Sequence, residues 1–213
     1  MILKNSILFL CFFCGLTWTA DAQKMNDVFN EDVPIAWLGL DFTGAKLIGD
    51  REKYGSSSDV KFLVKAWNDL IDAEKNKYNV ARATKKKTAE YHSEVARNHN
   101  EEIDISELLS NNREDHLHLK EEDIRAIVRT YDFQGLTGIG LMFNIESFSK
   151  LEGKAAIWVT FIDLASKEVI FADRVISPPG GNGLRNYWGG SISATMDKMA
   201  GKQMELWRKQ YAR

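Results

Sequence analysis

Ile139-Gly140-Leu141-Met142-Phe143-Asn144-Ile145-Glu146, then Ala155-Ala156-Ile157-Trp158-Val159-Thr160-Phe161-Ile162-Asp163-Leu164, then Val169-Ile170-Phe171-Ala172-Asp173-Arg174-Val175-Ile176 follow one another with almost nothing between them. In the first run Ile139, Leu141, Phe143 and Ile145 alternate with smaller or polar residues. A period of two puts successive side chains on opposite faces of a strand. The second run is apolar at both parities, as in a strand covered on both sides. Leu151-Glu152-Gly153 and Ala165-Ser166-Lys167 are turns too short for a crossover. Three strands joined this way form an antiparallel meander.

Working outward, Pro178-Pro179-Gly180-Gly181-Asn182-Gly183 stops the sheet, because proline brings no ladder donor. The remainder reads as one long helix with Trp188, Ile192, Met196, Met199 and Leu206 on one face, weakened at Gly189, Gly190 and Gly201. Upstream, Lys120-Glu121-Glu122-Asp123 opens a helix whose apolar face is Ile124, Ile127, Val128 and Tyr131. Near the start, Ile35-Ala36-Trp37-Leu38-Gly39-Leu40-Asp41-Phe42 is a buried strand, closed by Thr43-Gly44. Val60, Leu63, Val64, Trp67, Leu70 and Ile71 then trace a helix face, with Ser57 or Ser58 as the N-cap. Residues 76–118 carry weaker signals. Lys85-Lys86-Lys87 reads as a solvated turn or helix end, Thr88 to Arg97 as a strand with an amphipathic helix as the competing reading, and Asn98 to Asp115 as a surface loop around a short apolar turn at Leu108-Leu109. The predicted fold is α/β of the α+β type. It is a two-layer sandwich whose mixed sheet ends in the three-strand antiparallel meander, followed by the long terminal helix.

The N-terminus has a different character. One charge, Lys4, precedes the apolar Ile7 to Trp18, and Ala20-Asp21-Ala22 supplies small residues before Gln23. This is the layout of a signal peptide over residues 1–22, cleaved after Ala22, and its apolar run is too short to span a bilayer. The chain is therefore expected to be exported, to the periplasm or beyond, with a flexible lead-in over 23–33 and one domain over 34–213. Both cysteines, Cys11 and Cys14, lie in the leader, preceded by Leu10 and Phe13 rather than the small residue that lipidation requires. Residues 23–213 therefore hold no disulfide and no thiolate. Cleavage removes one charge of each sign and leaves the net charge at −2, a balance that gives no footprint for nucleic acid.

The order strand, helix, strand, helix, meander, helix resembles a group of envelope α/β domains: the N-terminal domain of TolB, the core of the curli secretion protein CsgG and the penicillin-binding-protein activator LpoB. The residues that carry the resemblance are the first strand, Ile35–Phe42, the late hairpin Phe161–Val169 and the terminal helix, within about residues 34–211. The stretch Gly180 to Trp188 is also similar to a signature of uncharacterised secreted bacterial proteins. The resemblance implies a non-catalytic envelope binding or assembly module, with another envelope or extracellular protein as its partner.

Candidate chemistry lies in three places. His92, His99, His116 and His118 fall within one polar segment beside several acids. Three imidazoles and a carboxylate can hold zinc, which would suit an extracytoplasmic hydrolase. The spacing matches no metal motif, so exposed loop histidines are the other reading, and neither a metal nor another cofactor is expected. Asp41 sits where a buried strand ends, a common place for an active-site carboxylate and equally for a turn-forming Asp. Gly180, Gly181 and Gly183 precede a helix with Arg185 in its first turn, so free N–H groups and a guanidinium could bind an anion there. The same glycines also serve a tight reversal of the chain. Trp207 near the C-terminus is either core or an exposed partner contact.

Overall fold

The computed structural model describes residues 24–212. The leader expected over residues 1–22 and the cleavage site expected after Ala22 lie outside the described residues. Elements in chain order are α1 (24–29), β1 (Ile35–Asp41), β2 (Lys46–Ile48), α2 (Ser57–Ala73), α3 (Val80–Thr84), β3 (Ala89–Tyr91), α4 (Glu94–Asn100), α5 (Ile105–Leu108), β4 (Leu109–Ser110), a 3-10 turn (Arg113–Leu117), α6 (Glu121–Thr130), β5 (Ile139–Ser149), β6 (Lys154–Asp163), β7 (Glu168–Ser177), α7 (Leu184–Lys198), a π turn (Met199–Gln203) and α8 (Met204–Tyr211).

One seven-stranded sheet organises the chain. β5, β6 and β7 pair antiparallel in chain order. The other four ladders, β1 with β3, β1 with β5, β2 with β4 and β2 with β5, are all parallel. The sheet as a whole is thus mostly parallel, which the short N-terminal strands did not announce. β1 and β2 lie end to end along the same edge of β5, opposite Ile139–Asn144 and Ser147–Ser149 respectively. β3 and β4 flank them outside in the same order.

The expected two-layer sandwich is corrected to three layers. On one face Trp37, Phe143, Val159 and Phe161 pack with Trp67 of α2, Trp188 and Ile192 of α7, and Trp207 of α8. On the other, Leu38, Met142, Trp158 and Ile162 pack with Val95 of α4 and with Ile124 and Val128 of α6. β6 is apolar at both parities because both its faces are covered.

Local signals explain further differences. Ser56, one residue earlier than expected, caps α2 through a capping box with Asp59. The flexible lead-in is instead docked. Val28 is fully buried, and the Phe29 and Phe171 rings stack at 5.9 Å. The lysine run does end α3 at Lys85, and Lys85 and Lys87 are exposed as expected, but Lys86 is buried. Lys85 bonds Glu205, Lys87 bonds Asp32, and Lys86 donates to the carbonyls of Asp27 and Asn30 at 2.6 and 2.7 Å, capping α1. Burial pulls the Lys86 ammonium down to a pKa of about 8.

The terminal helix is not regular. Five residues separate Met199 from Met204, too many for one α turn, and the π turn takes up the extra one. Met204 and Trp207 thereby face the core while Leu206, placed inward by regular spacing, is 53% exposed. β7 is an outer strand whose free edge is occupied by side chains. Arg125 donates to Val169 O, Lys198 to Ile176 O, and Arg174 N–H to Asp173. Such occupation discourages strand addition.

Candidate functional site

Between β1 and β2 the chain leaves the sheet. Asp41 pairs with Asn144 and Lys46 with Ser147, so five residue steps on one side answer three on the other. The surplus, Phe42 to Ala45, forms a turn closed by Ala45 N–H to Phe42 O at 3.0 Å. Phe42 goes into the core and stacks on Trp67 at 5.5 Å. Thr43 and Gly44 turn outward and floor a cleft of about 570 Å³, whose walls include His99, Glu102, Glu107, His118 and Thr130.

The outer row of the sheet is broken at the same level, since β3 ends opposite Trp37 and β4 begins opposite Leu47. Two asparagines fill the gap. Asn68 Oδ1 accepts from Leu40 N–H at 2.8 Å and its Nδ2 donates to Leu40 O at 3.0 Å. Asn100 Oδ1 accepts from Phe42 N–H at 2.9 Å and its Nδ2 donates to Leu40 O at 2.8 Å. Two side-chain amides thus stand in for a neighbouring strand and satisfy buried backbone groups. Gly39, at φ +104°, makes this possible, because a Cβ there would lie 2.8 Å from Asn68 Oδ1.

Beneath the turn lies a buried polar network. Asp41 Oδ1 accepts from Thr43 N–H at 3.1 Å, from Thr43 Oγ1 at 2.5 Å and from the Tyr131 hydroxyl at 2.8 Å. Its Oδ2 accepts from Asn144 Nδ2 at 2.8 Å, and Asn144 Oδ1 accepts from Thr160 Oγ1 at 2.7 Å. Burial, and then the neighbouring Asp41 charge, raise the Tyr131 hydroxyl well above its ordinary pKa. Alongside, the fully buried Glu146 accepts from Leu119 N–H and pairs with Arg174, Nε to Oε2 at 2.6 Å. Desolvation still raises its carboxyl. The Arg174 guanidinium lies 4.7 Å over the Trp158 ring.

The four histidines are committed separately. His92 lies between Glu90 and Glu94 at 3.6 and 3.4 Å. His99 stacks on Tyr131 at 4.0 Å. His116 Nδ1 is 2.7 Å from Ser147 Oγ, and its burial lowers its pKa. His118 faces two backbone carbonyls, Asp115 at 2.7 Å and Gly44 at 2.9 Å. Only His99 and His118 share the cleft. Among the described residues no three His, Cys, Asp or Glu side chains converge on a point that could hold a metal.

At the Gly-rich junction Gly181 and Gly183 have φ of +116° and +76°. Gly180 N–H donates to Tyr187 O at 2.9 Å, and Gly180 rests so closely on Gly190 that a Cβ there would lie 2.1 Å from Gly180 O. The helix glycines therefore serve close packing. Arg185 is exposed; its Nε donates to Asn186 at 3.3 Å and its carbonyl accepts from Trp67 Nε1. These residues share none of the cleft's lining. Trp207 is fully buried and donates to Asp173, so it is core rather than a partner contact. Asn68 and Asn100 were not legible as site residues, because each meets β1 only through long-range packing. No helix among the described residues is long and apolar enough to cross a membrane. No protein-family model and no curated protein matches this chain.

Proposed function

We propose that the protein is an exported binding or assembly module of the bacterial envelope without catalytic chemistry of its own. The cleft over the β1–β2 interruption receives its partner, another envelope or extracellular protein. The observation that carries this reading is that polar groups at and directly beneath the cleft's floor are already engaged inside the chain. Asp41 is 1% exposed and both its oxygens accept hydrogen bonds, His118 is held by two carbonyls, and Lys46 Nζ donates to Glu107 O at 2.6 Å. A general acid or base has to reach the proton it moves. These groups instead hold a concave surface in one shape, which lowers the ordering cost of binding. Glu102, Asp104 and Glu107 outnumber Lys46 around it, a balance that favours a partner with basic or donor groups over a phosphate chain. The Gly180, Gly181, Gly183 and Arg185 junction enters this reading as a chain reversal first and an anion contact second.

Glu102 and Thr130 are exposed on the cleft wall, so Glu102→Arg and Thr130→Arg should leave the unfolding curve unchanged. Both should abolish retention of the partner from envelope extract on immobilised protein, while Leu206→Arg on α8 retains it. Retention unaffected by both wall variants would remove the cleft from the proposal.

A further inference from the structure

We propose that Asn182 is a site of spontaneous covalent modification, converting with time to aspartate and isoaspartate and making the start of α7 anionic. Asn182-Gly183 is the one Asn-Gly pair in the chain. Glycine matters because it places no side chain between its own nitrogen and the preceding amide, and asparagine is a thermolabile residue. Both residues are exposed, and a Cβ built on Gly183 would meet nothing within 4 Å. The Gly183 carbonyl is engaged by Tyr187 N–H, whereas its own N–H donates to none of the described residues. Six of the other asparagines are held. Asn68, Asn100 and Asn144 are buried in hydrogen-bonded positions, and Asn30, Asn79 and Asn112 accept from backbone N–H groups in local turns.

The chemistry balances without an oxidant or reductant. The Gly183 nitrogen gives up its proton to solvent and attacks the Asn182 side-chain carbonyl. A C–N bond forms, the bond to the amide nitrogen breaks, and ammonia leaves with the returned proton. Water then opens the cyclic imide at either carbonyl, giving aspartate or isoaspartate. One water enters and one ammonia departs. The new carboxylate stands before the first turn of α7, where the helix dipole favours negative charge, next to Arg185. An anion contact at this junction would then be met from within the chain. The isoaspartyl form also lengthens the main chain inside the loop that the Gly180 to Tyr187 bond closes.

The test is to incubate the folded protein at physiological temperature in mildly alkaline buffer, then map peptides by mass and by enzymatic isoaspartate labelling. The 178–190 peptide should convert ahead of every other asparagine-containing peptide, and Asn182→Gln, which keeps the amide and adds one methylene at an exposed position, should lose that conversion. Conversion at Asn182 no faster than at the other asparagines, or equal isoaspartate in Asn182→Gln, would overturn the proposal.

Discussion

Asp41 shows how one buried carboxylate fixes a local shape. Four donors from Thr43, Tyr131 and Asn144 converge on it, and its removal orphans two that are buried, the Tyr131 hydroxyl and Asn144 Nδ2. Each unsatisfied buried donor costs about 1–3 kcal/mol, and these losses overlap only in part. Asp41→Ala should therefore lower stability by about 3 kcal/mol or more in urea unfolding; a loss below about 1 kcal/mol would show that the network is not a support. Lys86 makes a prediction about pH. Its folded pKa of about 8 lies below the ordinary 10.5, so between these values the unfolded chain holds a proton that the folded chain does not. Stability then rises with pH through that window. Tyr54 and Tyr131, whose raised hydroxyls titrate late in the folded state, act in the opposite sense above pH 10. Wild type should gain on the order of 2 kcal/mol between pH 8 and pH 10 relative to Lys86→Met, one pKa unit being worth about 1.4 kcal/mol. Parallel pH profiles for the two proteins would contradict the burial of this charge. The Lys85-Lys86-Lys87 run illustrates what the sequence hides, since the middle ammonium is buried against two carbonyls while its neighbours pair with exposed carboxylates, a difference that only the fold assigns.

At the scale of elements, long periodic segments were legible and short ones were not. β5, β6, β7, α2, α6 and α7 each bury a repeating face, and a repeating face is what a pattern reports. β2, β3 and β4 are two or three residues long and contain no full period. Asn68 and Asn100 take the place of ladder partners there, and their role depends on positions 28 and 58–60 residues away. The π turn lies between these cases. The five-residue step from Met199 to Met204 is visible in the sequence, yet a helix assumed regular selects Leu206 over Trp207. Deleting Gly201 should restore an α-helical step while Met204 and Trp207 still face the core. That variant should fold with stability within about 1 kcal/mol of wild type, helped by removal of a helix glycine. Inserting an alanine beside Gly201 should instead rotate Met204 and Trp207 by about 100° and cost several kcal/mol of buried area. Equal damage from deletion and insertion, measured by urea unfolding, would refute this assignment.

For the whole molecule, helices on both faces of a mostly parallel sheet place the cleft where two irregularities coincide. One is the Phe42–Ala45 excursion between β1 and β2, and the other is the gap between β3 and β4. Asp41 was legible as a turn-forming residue at a strand end, and it does hold a turn. The cleft was not legible, because its walls come from α4, α6 and the segments around residues 43, 103 and 118, which no local pattern brings together. Docking of α1 through Val28, Phe29 and Lys86 likewise turns an apparent leader-proximal linker into part of the body. Binding at the cleft is tested most directly by site-specific photo-crosslinking in the native cells. A photoreactive residue is placed at Thr130 or Glu102 on the cleft wall and, separately, at Leu206 on α8. The cleft positions should each yield the same discrete adduct with an envelope or extracellular protein, absent from Leu206. An adduct formed from Leu206 alone, or none from either cleft position, would contradict the assignment of the cleft as the binding surface.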